Sequence, residues 1–215
     1  MGAKTWMLVY SDGSAKAALG NSPVLDREAS AELGKRLFPS DKLESLNDAT
    51  LSFTCPPDNE LVVGCVSGIS ILAAKEFGID RPSQLPAIFT SQAPMGTTYL
   101  HAMHSAVDWF AFAVWENGIL RRSLSLSPDS GIVEDIGERF SFEVPFWAGE
   151  RPAVDPDVEE DEYPFPFHPL ELGEAALAEF FGYQLEGIVN PSLIEPEQVP
   201  LLRFKRTKSS WWKLW

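Results

Sequence analysis

The stretch TTYLHAMHSAVDWFAFAVWENGILRRSLSLS, residues 97–127, decides the fold. Apolar side chains fill every position from Trp109 to Trp115, a pattern typical of a strand that is covered on both faces. Asn117-Gly118 follows, and this dipeptide is a strong signal for a two-residue β-hairpin turn. Residues 119–126 then alternate mostly leucine with Arg and Ser, as a half-buried returning strand does. The stretch therefore predicts a hairpin at the centre of an antiparallel sheet, with residues 99–104 as a neighbouring strand.

Working outward from this hairpin, the same kinds of pattern predict helices and strands along the rest of the chain. Ser22-Pro23 matches a capping residue followed by proline at the first helical position, and leucine or alanine recurs every four residues until Pro39. Pro169 and Gly182 bound a second helix in the same way. The other predicted elements are strands or extended segments at 4–11, 42–54, 60–66 and 140–144, a short helix at 67–78, and one helical turn at 86–92.

These elements predict a single α+β domain, residues 1–204, with helices packed on a largely antiparallel sheet. The first six elements fit a ferredoxin-like order, and a β-meander follows them. An acidic, proline-rich loop at 152–169 interrupts the domain, since six of the eight residues from Asp155 to Glu162 are acidic. The loop lacks the glycine of an EF-hand, so we expect it to be a solvated loop.

Composition excludes several classes of function. The chain has 215 residues and a formal charge of −14, and such an acidic chain is not expected to track the phosphate backbone of a nucleic acid. No apolar run reaches the roughly 18 residues of a membrane span, and the N-terminus lacks the pattern of a signal peptide. Cys55 and Cys65 are then expected to be reduced thiols. We therefore predict a cytoplasmic protein.

The strongest candidate for a catalytic site is the run His101-Ala-Met-His104-Ser105-Ala-Val-Asp108. On a helix these polar residues would share one face, but on a strand His101 and His104 point to opposite faces. The catalytic interpretation is then a Ser-His-Asp site around His104, Ser105 and Asp108, with Asp12 at the end of the first strand as a further candidate. The alternative, which we favour, is that His104 and Asp108 hold a turn in place through hydrogen bonds to nearby backbone or to each other.

No cofactor or metal is expected from the sequence. The two cysteines do not form a CxxC pair, and the chain has only three histidines, so a structural zinc site is not indicated. Gly64-Cys-Val-Ser-Gly68 is similar to the nucleophile elbow of hydrolases, but its serine adjoins the second glycine, so we expect an ordinary helix cap there.

Basic residues and tryptophans concentrate in a C-terminal tail, which we place at residues 205–215. From residue 203 onward there are five basic residues and no acidic one, whereas residues 1–202 hold 12 basic and 31 acidic residues, a net charge of −19. The tail also holds Trp211, Trp212 and Trp215. Soluble proteins rarely leave such an apolar patch in water, so we expect it to contact the domain, a second copy, another protein or a membrane surface. We favour a protein contact, because an anionic membrane would repel the acidic domain.

The chain resembles an uncharacterised bacterial family, common in actinobacteria, that is known as a domain of unknown function. The resemblance covers nearly everything up to about residue 205. It rests on the strings Gly2-Ala-Lys-Thr5, Tyr99-Leu-His-Ala-Met-His-Ser105 with Asp108-Trp-Phe110 and Trp115, Ser123-Leu-Ser-Leu-Ser-Pro-Asp-Ser-Gly131, Phe167-His-Pro-Leu-Glu-Leu-Gly173 and Leu201-Leu-Arg-Phe204. The family implies no activity, cofactor or catalytic residue. The sequence thus favours a non-catalytic binding or interaction protein, and the alternative is a small hydrolase or transferase centred on His104, Ser105 and Asp108.

Overall fold

A ten-stranded sheet organises the computed structural model, which describes residues 2–93, 95–154, 163–187 and 190–208. The strands are β1 (Lys4–Ser11), β2 (Asp41–Ser45), β3 (Ala49–Thr50), β4 (Glu60–Val66), β5 (Ile69–Ala73), β6 (Thr97–His104), β7 (Trp109–Glu116), β8 (Ile119–Ser127), β9 (Gly131–Gly137) and β10 (Pro200–Lys208). The α-helices are α1 (Ala15–Gly20), α2 (Arg27–Leu37), α3 (Ala87–Thr90), α4 (Val144–Trp147) and α5 (Pro169–Phe181). Among these helices, none is both long and apolar enough to cross a membrane.

The strands pair in the order β2-β10-β4-β5-β1-β6-β7-β8-β9, and β3 pairs with β10 beside β2. Every one of these pairings is antiparallel. The predicted α+β class, the antiparallel sheet and the β-meander, here β6 to β9, are confirmed. The ferredoxin-like order at the start is wrong, because β1 lies between the antiparallel strands β5 and β6, whereas the split βαβ arrangement places a parallel strand beside it.

The decisive hairpin is confirmed as β7 and β8, which turn at Asn117-Gly118 with both residues at positive φ. Phe110 and Phe112 are fully buried, as two-sided burial of β7 requires. The hairpin lies inside the sheet but not at its centre, since β9 alone lies beyond it on one side. A register shift between Val114 and Trp115 adds a local irregularity.

Both faces of the sheet are covered, which explains why so many strands lack an alternating pattern. On what we call the α5 face, α5 packs on β6 and β7 and α1 packs on α5. On the opposite face, the α2 face, α2 packs on β4 and β10. The buried side chains fall into two clusters accordingly, one containing Phe110, Phe112, Phe167 and Phe181, and the other containing Leu33, Leu37, Phe77 and Phe89.

Two predicted helices differ from the structure for identifiable reasons. The helix expected from Ser22 begins instead at Arg27, because the Asp26 side chain caps it by accepting from the Ala29 N–H (2.9 Å), while the Asp26 N–H donates to the Cys65 carbonyl (2.8 Å). The helix expected at 67–78 is largely wrong. Ser67-Gly68 is the turn of the β4–β5 hairpin, with Gly68 at φ +77°, and only a single 3₁₀ turn follows β5.

The C-terminal half combines one wrong prediction with one confirmed one. The strand expected at 140–144 is wrong: the strand is β9, and the Glu143 side chain accepts from the Phe140 N–H (2.8 Å), which turns this segment into α4. Helix α5 begins at Pro169 and ends at Gly182, whose φ of +77° gives a left-handed cap. The acidic run, residues 155–162, lies outside the described residues.

Strand β10 continues to Lys208, four residues into the segment that the sequence analysis assigns to the tail. It lies between β4 on one side and β2 and β3 on the other. Trp211, Trp212 and Trp215 lie outside the described residues. We call residues 209–215 the tryptophan segment.

Candidate functional site

The turn between β6 and β7 carries the three residues of the catalytic hypothesis, but the sheet separates them. His104 is the last residue of β6 and lies on the α2 face, where its ring packs 5.7 Å from that of Trp6. Its Nδ1 accepts a hydrogen bond from the Ala106 N–H (3.2 Å). Partial burial, and then the charge of Lys4 on the adjacent strand, lower the pKa of His104. His104 is therefore bonded to the nearby backbone of the turn, which is the kind of contact that we favour for it from the sequence.

Asp108 faces a different histidine. It closes the turn with φ +45°, a left-handed conformation that aspartate tolerates better than most residues. Its Oδ2 lies 3.6 Å from Nε2 of His168, the residue that caps α5 by accepting the Leu170 N–H at Nδ1 (3.3 Å). With Nδ1 acting as an acceptor, the proton of neutral His168 lies on Nε2, toward Asp108. The pair thus joins the β6–β7 turn to the start of α5.

Tyr163 completes this cluster. Its ring stacks on that of His168, with 5.8 Å between centroids and 19° between planes. Burial, and then the nearby Asp108 carboxylate, raise the pKa of Tyr163 to about 12. Its hydroxyl is buried without a hydrogen-bond partner among the described residues. Sequence reasoning missed His168 and Tyr163, and the signal available for His168 was its position directly before Pro169, the first residue of α5.

Ser105 and Asp12 do not join His104 in a catalytic arrangement. The Ser105 N–H donates to the Ala3 carbonyl (3.1 Å), and in the described part of the chain its hydroxyl makes no hydrogen bond to His104 or Asp108. Gly2 lies so close that an added Cβ would be 2.1 Å from Ser105 Oγ. Asp12 follows the far end of β1, and the length of that strand places it more than about 20 Å from the His104 turn.

His101, as expected for a strand, points to the opposite face from His104, and it forms a buried link between three elements. Its Nδ1 lies 2.7 Å from Thr5 Oγ1 on β1, and its Nε2 lies 3.0 Å from the Gly173 carbonyl on α5. Since a carbonyl only accepts, Nε2 carries the proton and Nδ1 accepts from Thr5. Burial lowers the pKa of His101 to about 4, so the ring is neutral near pH 7. This histidine is a structural link rather than a solvent-open acid or base.

The largest buried charge network lies at the other end of the meander and is satisfied within the fold. Arg122 is fully buried and donates to Glu143, which is also fully buried, with distances of 2.7–3.3 Å. It also donates to Asp135 and to the carbonyls of Ser123 and Ile136. Such a saturated network is typical of a structural ion pair.

Two surface clefts lie away from the candidate residues. One cleft of about 620 Å³ lies between α1 and residues 192–199, and another of about 540 Å³ lies beside the end of β10. Neither is lined by His104, Ser105, Asp108 or Asp12. Within the described ranges, no group of three or more His, Cys, Asp or Glu side chains could hold a metal ion.

A comparison with protein families completes this picture. The model of DUF6928, a family of unknown function, matches residues 5–204, which is most of the chain. The chain belongs to DUF6928. No curated protein and no solved structure is similar enough to the chain to count as a match.

The DUF6928 match ends at Phe204, so the tryptophan segment lies outside the matched range. Within the matched range, three of the sequence strings that carry the family resemblance meet at one place. One residue of each, Thr5, His101 and Gly173, is joined to the next by a hydrogen bond. Gly173 also packs closely against the side chains of Met103 and Phe110, from which an added Cβ would lie 2.7 and 3.1 Å away. In this member of DUF6928 these recognisable strings therefore build the contact between α5 and the sheet.

Proposed function

We propose that this protein is a non-catalytic binding protein of a bacterial cytoplasm, and that the tryptophan segment docks on a protein surface. The observation that carries the proposal is that β10 uses its own arginines inside the domain and then leads directly into the tryptophan segment. The charge that could attract a membrane or a nucleic acid is thereby reduced. The sequence after Lys208 adds three tryptophans, Trp211, Trp212 and Trp215, and a single basic residue.

Arg206 is the more deeply held of the two arginines. Its side chain is only 9% exposed, its Nε donates to Asp41 (2.7 Å), and its Nη atoms donate to both oxygens of Glu76 (2.8 and 2.6 Å). The guanidinium also lies 4.1 Å from the centroid of the Phe38 ring. Two carboxylates and an aromatic face thus fix this charge in the domain.

Arg203, three residues earlier on β10, is held in a similar manner. Its Nε and Nη2 donate to the two oxygens of Glu60 (2.6 and 3.0 Å), and the guanidinium lies 4.7 Å from the Phe53 ring centroid. Lys205, between these arginines, lies opposite Glu44 on β2 and Glu60 on β4 in the sheet register. The two arginines of the strand that leads into the tryptophan segment are therefore neutralised by neighbouring carboxylates.

This pairing favours a protein partner over lipid or nucleic acid. Among the basic residues after residue 202 that the structure describes, Lys205 and Lys208 are outside these two arginine ion pairs, and at about 1 kcal/mol each they would attract an anionic surface weakly. The same surface would repel the acidic domain. Tryptophan, in contrast, is the residue type that contributes most to protein interfaces, because it buries a large area with few rotamers.

The alternative, a small hydrolase or transferase at His104, Ser105 and Asp108, has less support. A serine nucleophile requires a base within hydrogen-bond reach. His104 is instead bonded to the turn backbone on one face, whereas Asp108 lies against His168 of α5. These separate contacts support the structural interpretation of the turn.

The test compares the full chain with a version that ends at Lys208, which keeps β10 complete. The native mass of each version is measured by light scattering after purification and by size-exclusion chromatography of a cell extract. We expect the full chain to have the larger mass in at least one of the two, and the triple replacement Trp211→Ser, Trp212→Ser and Trp215→Ser to behave like the truncated version.

Equal masses for the two versions in both measurements would overturn the proposal. Salt-sensitive sedimentation of the full chain with phosphatidylserine vesicles, lost on truncation, would overturn it in favour of a membrane surface. A matched control replaces Lys205 and Lys208 by alanine, which removes charge and leaves the tryptophans in place.

A further inference from the structure

The sheet ends in two edge strands, β2 and β9, and they differ in their capacity to accept another strand. On β9, Arg81 Nη1 donates to the Val133 carbonyl (3.0 Å), so an edge acceptor is already occupied. The next residue, Glu134, is buried and accepts from the Ser83 N–H (3.0 Å), so the segment that carries Arg81 is fixed against β9. The β9 edge is therefore protected.

The outward hydrogen-bonding groups of β2 follow from its register with β10. The Leu46 N–H donates to the Arg203 carbonyl (2.9 Å), which makes Ser45 and Phe204 a non-hydrogen-bonded pair. The alternation then directs the backbone groups of residues 42 and 44 toward β10 and those of residues 43 and 45 away from it. Within the described chain, Leu43 and Ser45 thus present N–H and C=O groups at an open edge.

We propose that a second copy of this chain pairs with this edge, β2 against β2, in antiparallel fashion about a two-fold axis at Leu43. In this register the outward groups of Leu43 bond those of the partner's Leu43, and the Asp41 carbonyl accepts from the partner's Ser45 N–H. The Asp41 N–H takes no part, because it donates to the Phe38 carbonyl of its own chain (3.0 Å). Four hydrogen bonds thus join the two edges, and the two sheets become continuous. A self-complementary contact of this kind is the usual geometry of a homodimer.

The charges of β2 select this register. With Leu43 on the axis, Lys42 lies opposite the partner's Glu44 and Glu44 lies opposite the partner's Lys42. These are non-hydrogen-bonded positions, where the Cα atoms of facing residues are only about 4.5 Å apart. The two neighbouring registers that keep the outward groups paired would place Lys42 opposite Lys42, or Glu44 opposite Glu44. Opposite charges thus stabilise one register and like charges disfavour the others.

This inference deepens the proposed function and rests on it, because it names a second copy of the chain as the protein partner. The tryptophan segment follows Lys208 in the sequence, and Lys208 is in register with Asp41 on β2. Five paired residues bury much less than the roughly 1,200 Å² of a stable interface, so the pairing predicts a weak dimer that forms as the concentration rises.

The test uses sedimentation velocity on the full chain across a concentration series. Lys42→Glu alone and Glu44→Lys alone each place like charges opposite one another at two symmetric positions, so each should weaken dimerisation at least about tenfold. An equimolar mixture of the two variants should regain the dimer, because a mixed pair has opposite charges at both positions. Ser45→Pro should also weaken the dimer, since it removes an outward N–H and spares the ladder with β10.

Circular dichroism and thermal unfolding of each variant show that the domain is intact, and the mixture serves as the decisive control because it contains the same chains. A wild-type chain that stays monomeric at every concentration overturns the inference, and so does a dimer that both charge variants leave unchanged. If the proposed function fails, truncation after Lys208 leaves the native mass unchanged. If the dimer is lost on truncation but is insensitive to Lys42→Glu, the β2 pairing alone is overturned.

Discussion

Replacing His101 by glutamine should remove an acid sensitivity from the stability of the domain. Glutamine is the matched replacement, since its amide N–H can donate to the Gly173 carbonyl and its carbonyl can accept from Thr5. The wild-type ring makes those two bonds in its neutral form and is 1% exposed. The change therefore removes the titrating group and keeps the connection between β1, β6 and α5.

The sign and size of the effect follow from the pKa values. The pKa of His101 is about 4 in the fold, against 6.5 for an unperturbed histidine. Between these values the unfolded chain binds a proton that the folded chain does not, so the free energy of unfolding decreases as the pH falls from 6.5 toward 4. Over that whole range, a difference of this size amounts to about 3 kcal/mol.

Urea unfolding followed by tryptophan fluorescence measures this quantity at a series of pH values. The carboxylates of the domain titrate in the same range, so the informative quantity is the difference between wild type and His101→Gln at each pH. That difference should change by about 3 kcal/mol in favour of the variant as the pH falls. His104→Gln serves as the control, because His104 is only partly buried and should contribute a smaller slope. A wild-type-minus-variant difference that stays constant with pH would refute the reasoning.

Three further predictions concern charge and backbone. Arg122→Met leaves Glu143 buried without its cation and should lower the free energy of unfolding, measured in urea, by about 3–5 kcal/mol. Adding Glu143→Leu should recover part of that loss, and equal losses for the single and double variants would contradict the ion-pair account. Burial raises the pKa of Glu174 to about 7, so stability should decrease as the pH rises from 4.5 toward 7, by about 2 kcal/mol relative to Glu174→Gln; parallel pH curves would show that it does not titrate there. Gly137→Ala should lower the melting temperature, since Gly137 has φ +82° and an added Cβ would lie 2.0 Å from the Arg121 carbonyl oxygen. An unchanged melting temperature would show that the end of β9 can shift freely.

The parts of the fold that could be predicted are those with local causes. Asn117-Gly118 specifies a tight turn through the backbone preferences of two adjacent residues, and Pro169 with Gly182 bounds α5 in the same way. The two-sided apolar pattern of Trp109 to Trp115 required only that both faces of the sheet be covered. None of these features depends on a distant segment of the chain.

The wrong elements are those whose outcome depends on distant partners. Ser22-Pro23 is a good local helix start, but the Asp26 N–H is bound to the Cys65 carbonyl, and this bridge fixes the cap four residues later. Ile69 and Leu72 fit a helical spacing, and they also fit a strand that is buried on both sides, so periodicity alone could not separate the two. Pairing of β5 with β1 and β4 decides the matter.

The site shows the same division. The sequence indicated that His101 and His104 would separate to opposite faces if residues 99–104 formed a strand, and they do. It gave no indication that Asp108 would meet His168, because that contact spans 60 residues and depends on how α5 docks. Local pattern thus predicted which side chains could not act together, and only the tertiary structure showed their actual neighbours.

The position of β10 has a consequence for how the protein is made on the ribosome. In the described sheet β2 is joined to the other strands through β10, and the Arg206–Asp41 ion pair closes a separation of 165 residues. The strands from β4 to β9 can assemble while synthesis continues, but β2 and the open edge of β4 must wait for the last strand. Until then the nascent chain exposes unpaired strand edges, which are sites of aggregation. A pause in translation before β10, or a missing β10, should therefore leave this protein dependent on chaperones rather than merely less stable.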